Sequence, residues 1–179
     1  MEYASSKTFR FRLEYNGQAS FIYGAIYCME DVLSRVINPE TAGKQRKLLQ
    51  RGVIVALREM MKQQSQDELS RDMAAFIGLS LLEMFETVNV SVNAWEKRNY
   101  WVKADRYRME WMWSMTFGQR ICEAVLADDW LTIATSMAEV AQKVMTVEIP
   151  KRHGIKEPWI GAWERLQDLD TDRELLYQK

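Results

Sequence analysis

The sequence predicts a mainly α-helical chain, a bundle of about five to six helices preceded by a short extended segment. Three observations carry this. Apolar residues recur at helical spacing over most of the 179 residues, only eight glycines and three prolines interrupt them, and 47% hydrophobic with 27% charged residues marks a globular chain. No low-complexity linker and no fixed-period repeat divides the sequence, so residues 1–179 are expected to form one domain. Within it, residues 1–17 read as an extended arm and residues 151–179 as a short helix with an acidic tail.

The elements follow in order. Phe9, Phe11, Leu13 and Tyr15 alternate with Arg10, Arg12 and Glu14 and are closed by Asn16-Gly17, the period-2 pattern of a half-buried strand. One strand alone leaves its backbone groups unpaired. The other short extended stretch is 146–150, where Val147 and Ile149 flank Glu148 ahead of Pro150; the two stretches either pair as a ribbon or the first lies as an arm across the bundle. From about 18 to 38, Ile22, Ala25, Ile26, Met29, Val32, Leu33 and Val36 trace a helical face that Asn38-Pro39 ends.

A second helix is expected over 41–64, with Leu49, Val53, Ala56, Leu57 and Met60 on one face. A third opens near Ser65, where Ser65-Gln66-Asp67-Glu68 has capping-box spacing. In that third helix Met73, Ile77, Leu81, Met84, Val88, Val92 and Trp95 form one sustained seam. A fourth helix covers 99–126, and a fifth covers 129–145 behind an Asp128 or Asp129 cap. A last short helix opens at Pro158, since proline suits the first helical position.

Charge and composition remove several function classes. Lys and Arg total 24 against 25 Asp and Glu, a formal charge of -1, so global charge favours no nucleic acid, membrane or acidic substrate and electrostatic arguments must be local. Cys28 and Cys122 lie far apart in apolar surroundings, the usage of buried free thiols in a reducing compartment, and a cytoplasmic location is expected. The longest uncharged stretch, residues 15–29, is short for a membrane span and carries Asn16, Gly17, Gln18 and Ser20, and the start Met-Glu-Tyr-Ala is not a signal peptide; no membrane partner is expected. His153 is the single histidine, in a basic turn, and no Glu-x-x-His, Gly-x-Ser-x-Gly, phosphate loop or dinucleotide fingerprint occurs. The chain is therefore read as non-enzymatic, with no cofactor, no metal, no catalytic residues and no small-molecule substrate indicated.

The competing chemistry is a metal-dependent helical hydrolase using paired carboxylates. Glu83 and Glu86 are three apart on one helix and could share a divalent cation, but their candidate counterparts Glu110 and Glu123 are unpatterned. Both also fall opposite the Met73 to Trp95 seam, so a solvated polar face is the expectation.

Two surfaces call for a partner. On a wheel of 100° per residue, Lys44, Lys47, Arg51, Arg58 and Lys62 fall within an arc of about 60°, away from the Leu49 and Val53 face. Solvated helices usually mix signs, because like charges one turn apart repel. This one-sign stripe, spanning roughly 27 Å at the helical rise, points to an RNA or DNA backbone or an acidic protein surface. Neutralisation inside the fold, by Asp168, Asp170, Asp172 and Glu174 of the acidic end, is the plain alternative.

The second surface lies in 95–117, where aromatic and basic residues interleave, as in base-stacking proteins. The basic side chains there point in nearly every direction. Tyr100, Tyr107 and Trp111 form one apolar strip, and Trp95, Val102, Met109 and Trp113 form another on the opposite side. A helix apolar on two faces is either central in the bundle, the simpler expectation, or covered by a protein partner or a second copy, for which Tyr100, Tyr107 and Trp111 are the candidate interface. Trp159, Trp163 and Leu166 supply a docking stripe for the bundle itself or a neighbour. The combined expectation is an α-helical binding or adaptor subunit of a larger assembly, touching a nucleic-acid backbone through its basic helix face.

Overall fold

The computed structural model describes the backbone of two strands, 11–15 and 18–22, and residues 42–144, 146–149 and 154–177. Five α-helices make up most of the described chain: α1 (Ala42–Met60), α2 (Glu68–Glu96), α3 (Trp101–Leu126), α4 (Trp130–Val144) and α5 (Ala162–Tyr177). The mainly helical bundle predicted from the sequence is the observed architecture.

β1 (Phe11–Tyr15) pairs antiparallel with β2 (Gln18–Ile22), Phe11 opposite Ile22 and Tyr15 opposite Gln18. This corrects two expectations. The partner of the first strand is its immediate neighbour rather than 146–150, and residues 18–22 are strand rather than the start of a helix. The reason is local: Asn-Gly between two extended runs is the dipeptide of a two-residue hairpin, so the nearest partner wins over a distant one. Residues 146–149 form no strand, and Val147 and Ile149 pack against the main core instead. The predicted face from Ala25 to Val36, with Cys28, lies outside the described residues, as does His153.

α2 is the axis of the molecule. Met73, Ile77, Leu81, Met84, Val88 and Val92 are all fully buried, so the predicted seam is the core, but burial extends around the helix. α1 and α3 pack along it, α5 lies against its first half, and α4 contacts α3 and α1. α2 is long and apolar enough to cross a membrane by length and composition alone, and 78% of that window is covered by the rest of the chain.

α2 and α3 approach each other closely at two glycines. A Cβ on Gly118 would sit 2.9 Å from Leu82 and 3.1 Å from the Gly78 carbonyl, and one on Gly78 would sit 2.7 Å from Cys122 Sγ. Gly52 does the same more loosely against the Phe76 ring, at 3.2 Å. Gly52 and Gly118 look like weak points for helix continuity in the sequence. α1 and α3 run unbroken through them, because each glycine is spent on packing.

Caps explain the ends. Asp67, rather than Ser65, starts α2: its Oδ1 accepts from the Ser70 amide at 2.8 Å, while Ser65 Oγ donates to Oδ2 at 3.0 Å. Those bonds hold the Asp67 carboxyl below its ordinary range. Asp129 caps α4 by accepting from the Thr132 amide at 3.1 Å. α2 and α3 both end in Schellman motifs without glycine. Asn99 (φ 62) and Asp128 (φ 56) take the left-handed position, and the next amides, of Tyr100 and Asp129, reach back to the Trp95 and Ala124 carbonyls.

The last helix is neither short nor started by Pro158. It begins at Ala162, where Asp72 of α2 accepts from the Gly161 and Trp163 amides at 3.0 and 2.9 Å. Trp159 and Leu166 are buried in the main core and Trp163 packs beside Arg71, so the docking stripe serves its own bundle.

Candidate binding site

α1 presents the basic stripe. Lys44, Lys47, Arg58 and Lys62 are exposed and Arg51 is half-buried. Lys62 lies past the end of the helix and donates to Glu59 Oε1 at 2.6 Å, so the outer end of the stripe is neutralised. What remains runs from Lys44 to Arg58, about 21 Å at the helical rise, with the intervening Ile54 and Val55 buried between Arg51 and Arg58. Among the described residues none of Lys44, Lys47, Arg51 or Arg58 makes an ion pair, and Asp168 and Asp170 do not reach them. The side chains of Asp172 and Glu174 lie outside the described residues.

The opposite face of α1 carries a residue the sequence reading passed over. Arg46 is buried, only 8% exposed, with its Nη1 donating to Thr87 Oγ1 at 3.0 Å. Its guanidinium lies 5.3 Å from the Tyr107 ring centre and 5.1 Å from that of Trp111. Among the described residues no carboxylate pairs with it. A planar, weakly hydrated guanidinium can be held this way by ring faces and one hydroxyl. The signal was available: on the helical wheel Arg46 falls within the arc of Leu49 and Val53, the one charged residue there.

Arg46 splits the aromatic strip predicted as a protein interface. Tyr107 and Trp111 are half-buried and engaged by α1, whereas Tyr100 is exposed. The expectation that this helix is central also needs correction, since α2 takes that place. Between Trp101 and Trp113 only Ala104 is buried, and Val102 and Met109 are 69% and 65% exposed. This half of α3 instead packs on the end of α2 through a small cluster of Val88, Val92 and Ala104, closed by Trp95, Tyr107 and Trp111. Trp95 meets Tyr107 edge-on at 5.0 Å, and Trp111 stacks on Trp113 at 6.0 Å. Arg108 ties the two helices through Glu96 at 2.8 Å.

At the α2–α3 turn these residues leave an open groove of about 600 Å³. Trp95, Tyr100, Trp101 and Tyr107 wall it, and Lys103 and Arg106 supply positive charge against one acid, Glu110. Lys103 Nζ lies 4.3 Å from the Trp95 ring centre, so the free aromatic surfaces are those of Tyr100 and Trp101, 57% and 59% exposed.

The paired carboxylates are not a solvated face. Glu83 is half-buried and accepts from Gln45 Nε2 at 2.8 Å. Burial, reinforced by the Glu86 charge, pushes its carboxyl up to about 7 against the lowering effect of Gln45. Glu86 is raised too, by burial, despite the Asn89 amide at 3.5 Å. The wheel missed this because α1 covers the flank of α2 that the seam leaves open. Among the described residues no three His, Cys, Asp or Glu side chains converge as metal ligands, and neither Glu110 nor Glu123 joins the pair. Cys122 is buried at the α2–α3 contact with its thiol pushed up to about 12, which leaves it protonated and unreactive.

Comparison with protein-family models, with curated proteins and with solved structures finds no match to this chain.

Proposed function

We propose that the chain is a non-enzymatic α-helical binding subunit of a larger assembly, whose α1 face runs along a nucleic-acid backbone. The observation that supports this reading most is the set Lys44, Lys47, Arg51 and Arg58, four cations on one helix face with no ion pair among the described residues. Leaving such a row unpaired costs local repulsion, which a polyanion removes while releasing its own counterions. Contacts of this kind position a protein on the strand without reading its sequence. Protein neighbours fit the outward side of α3, where Met109 is exposed.

Reversing three of the charges, Lys47→Glu, Arg51→Glu and Arg58→Glu together, tests the reading. Anisotropy with labelled single-stranded RNA, single-stranded DNA and duplex DNA should lose binding by at least about a hundredfold. Unchanged binding by the reversed variant would overturn the assignment to α1, and failure of the native chain to bind any of the three would overturn nucleic acid as the partner.

A further inference from the structure

We propose that the groove at the α2–α3 turn is a stacking site for unpaired bases of a single-stranded nucleic acid. The inference rests on the reading of the α1 face in taking nucleic acid as the partner, and adds to it which form is bound and where the bases go. The α1 stripe can follow any polyanion. The groove is selective, because it combines two exposed aromatic rings, Tyr100 and Trp101, with two cations, Lys103 and Arg106.

Three features favour this occupant. The charges in the groove are two positive against Glu110, so an anionic ligand is matched and a cationic one is not. Arg106 has no ion pair among the described residues, and Lys103 is held over Trp95 rather than by a carboxylate, so both remain available to phosphates. The first turn of α3, which lines the same groove, contains no acidic residue, and its N-cap Tyr100 gives no side-chain hydrogen bond. The positive end of α3 lies there beside the negative end of α2, so the two helix ends offset and the positive field rests on Lys103 and Arg106. Aromatic faces beside cations in an open channel are the arrangement that binds single strands by stacking, tolerant of base identity. A base pair inside a duplex has no free face to offer.

Tyr107, which lines the groove, has Arg46 of α1 over its ring, so α1 packs on this aromatic cluster with the face opposite its stripe.

The test compares the full chain's affinity for a labelled oligothymidylate with that for an abasic strand of equal length, which keeps the phosphates and lacks the bases. The native chain should bind the oligothymidylate at least about tenfold more tightly, and the Tyr100→Ala, Trp101→Ala double variant should lower it to the abasic value while leaving abasic binding unchanged. Both side chains are exposed, so their removal leaves the fold intact, and a thermal melt confirms it. Equal affinity for the two strands, or a double variant without effect, overturns the groove. If both strands bind equally and the α1 charge reversal abolishes both, the groove falls and the α1 reading stands. If neither strand binds, both fall; if the charge reversal leaves the preference for oligothymidylate intact, the groove stands without the stripe.

Discussion

Glu83 is the residue whose environment differs most from what its neighbours in sequence suggest. Its carboxyl sits at about 7 in the fold, against an ordinary value of 4.5, because burial disfavours the charge. An acid raised in the native state binds more protons there than in the unfolded chain. Its contribution is therefore fully present below about 4.5 and is lost as pH rises toward 7. Glu83→Gln keeps an oxygen for Gln45 and removes the charge. It should stabilise the protein on the order of 2 kcal/mol at pH 8 and leave it unchanged near pH 4, read from denaturant midpoints. Equal effects at both values would contradict the assigned burial.

Arg46 makes the opposite case, a permanent charge that is accommodated. Its worth lies in shape as well as sign, so Arg46→Lys should lose most of what Arg46→Ala loses, about 2 kcal/mol. Near-native stability of the lysine variant would show that the ring contacts with Tyr107 and Trp111 contribute little.

At the scale of the elements, the α2–α3 contact is set where glycines make room, Gly118 for the Leu82 side chain and Gly78 for Cys122. Gly118→Val places methyl groups where Leu82 and the Gly78 carbonyl already stand, and should cost on the order of 2–3 kcal/mol. Gly52→Ala meets only the movable Phe76 ring, and the gain in helix propensity, up to about 1 kcal/mol, offsets much of the clash. Thermal melts of the two variants should separate clearly, and similar values would argue against the tight crossing.

Helices were legible in the sequence wherever a long period persisted. The seam from Met73 to Val92 is the buried core, and the bounds of α1 to α4 lie within a few residues of the pattern. What the pattern could not show is what comes from another element. Asp72 fixes the start of α5 across the bundle, and α1 covers the Glu83 flank of α2; neither is a local signal. The hairpin had a local signal in Asn16-Gly17, outweighed in the reading by the apolar period that runs on from Ile22. For the candidate site, the stripe was legible because exposed charge is a property of one helix face. The groove was only half legible: the aromatic and basic residues stood out, but their convergence depends on the left-handed Asn99 that turns α2 into α3.

As a whole, the molecule divides its surface by role. The main core packs α1, α3 and α5 against α2 with α4 on α3 and α1, while the far end of the α2–α3 pair keeps a separate aromatic cluster and the open groove. Among the described residues, Cys122 is buried and protonated, Glu83 is half-buried, and no three His, Cys, Asp or Glu side chains converge as metal ligands. Among the described residues, charge on α1 and aromatic surface on α3 are accessible.

The measurement that bears most directly on this account is the salt dependence of single-strand binding by the native chain. On the proposed reading, the four α1 cations without an ion pair among the described residues predict that log affinity falls linearly with log salt with a slope of about −3, and more steeply if Lys103 and Arg106 also reach phosphates. Binding that is flat with salt, or absent at low salt, would contradict a backbone-following α1.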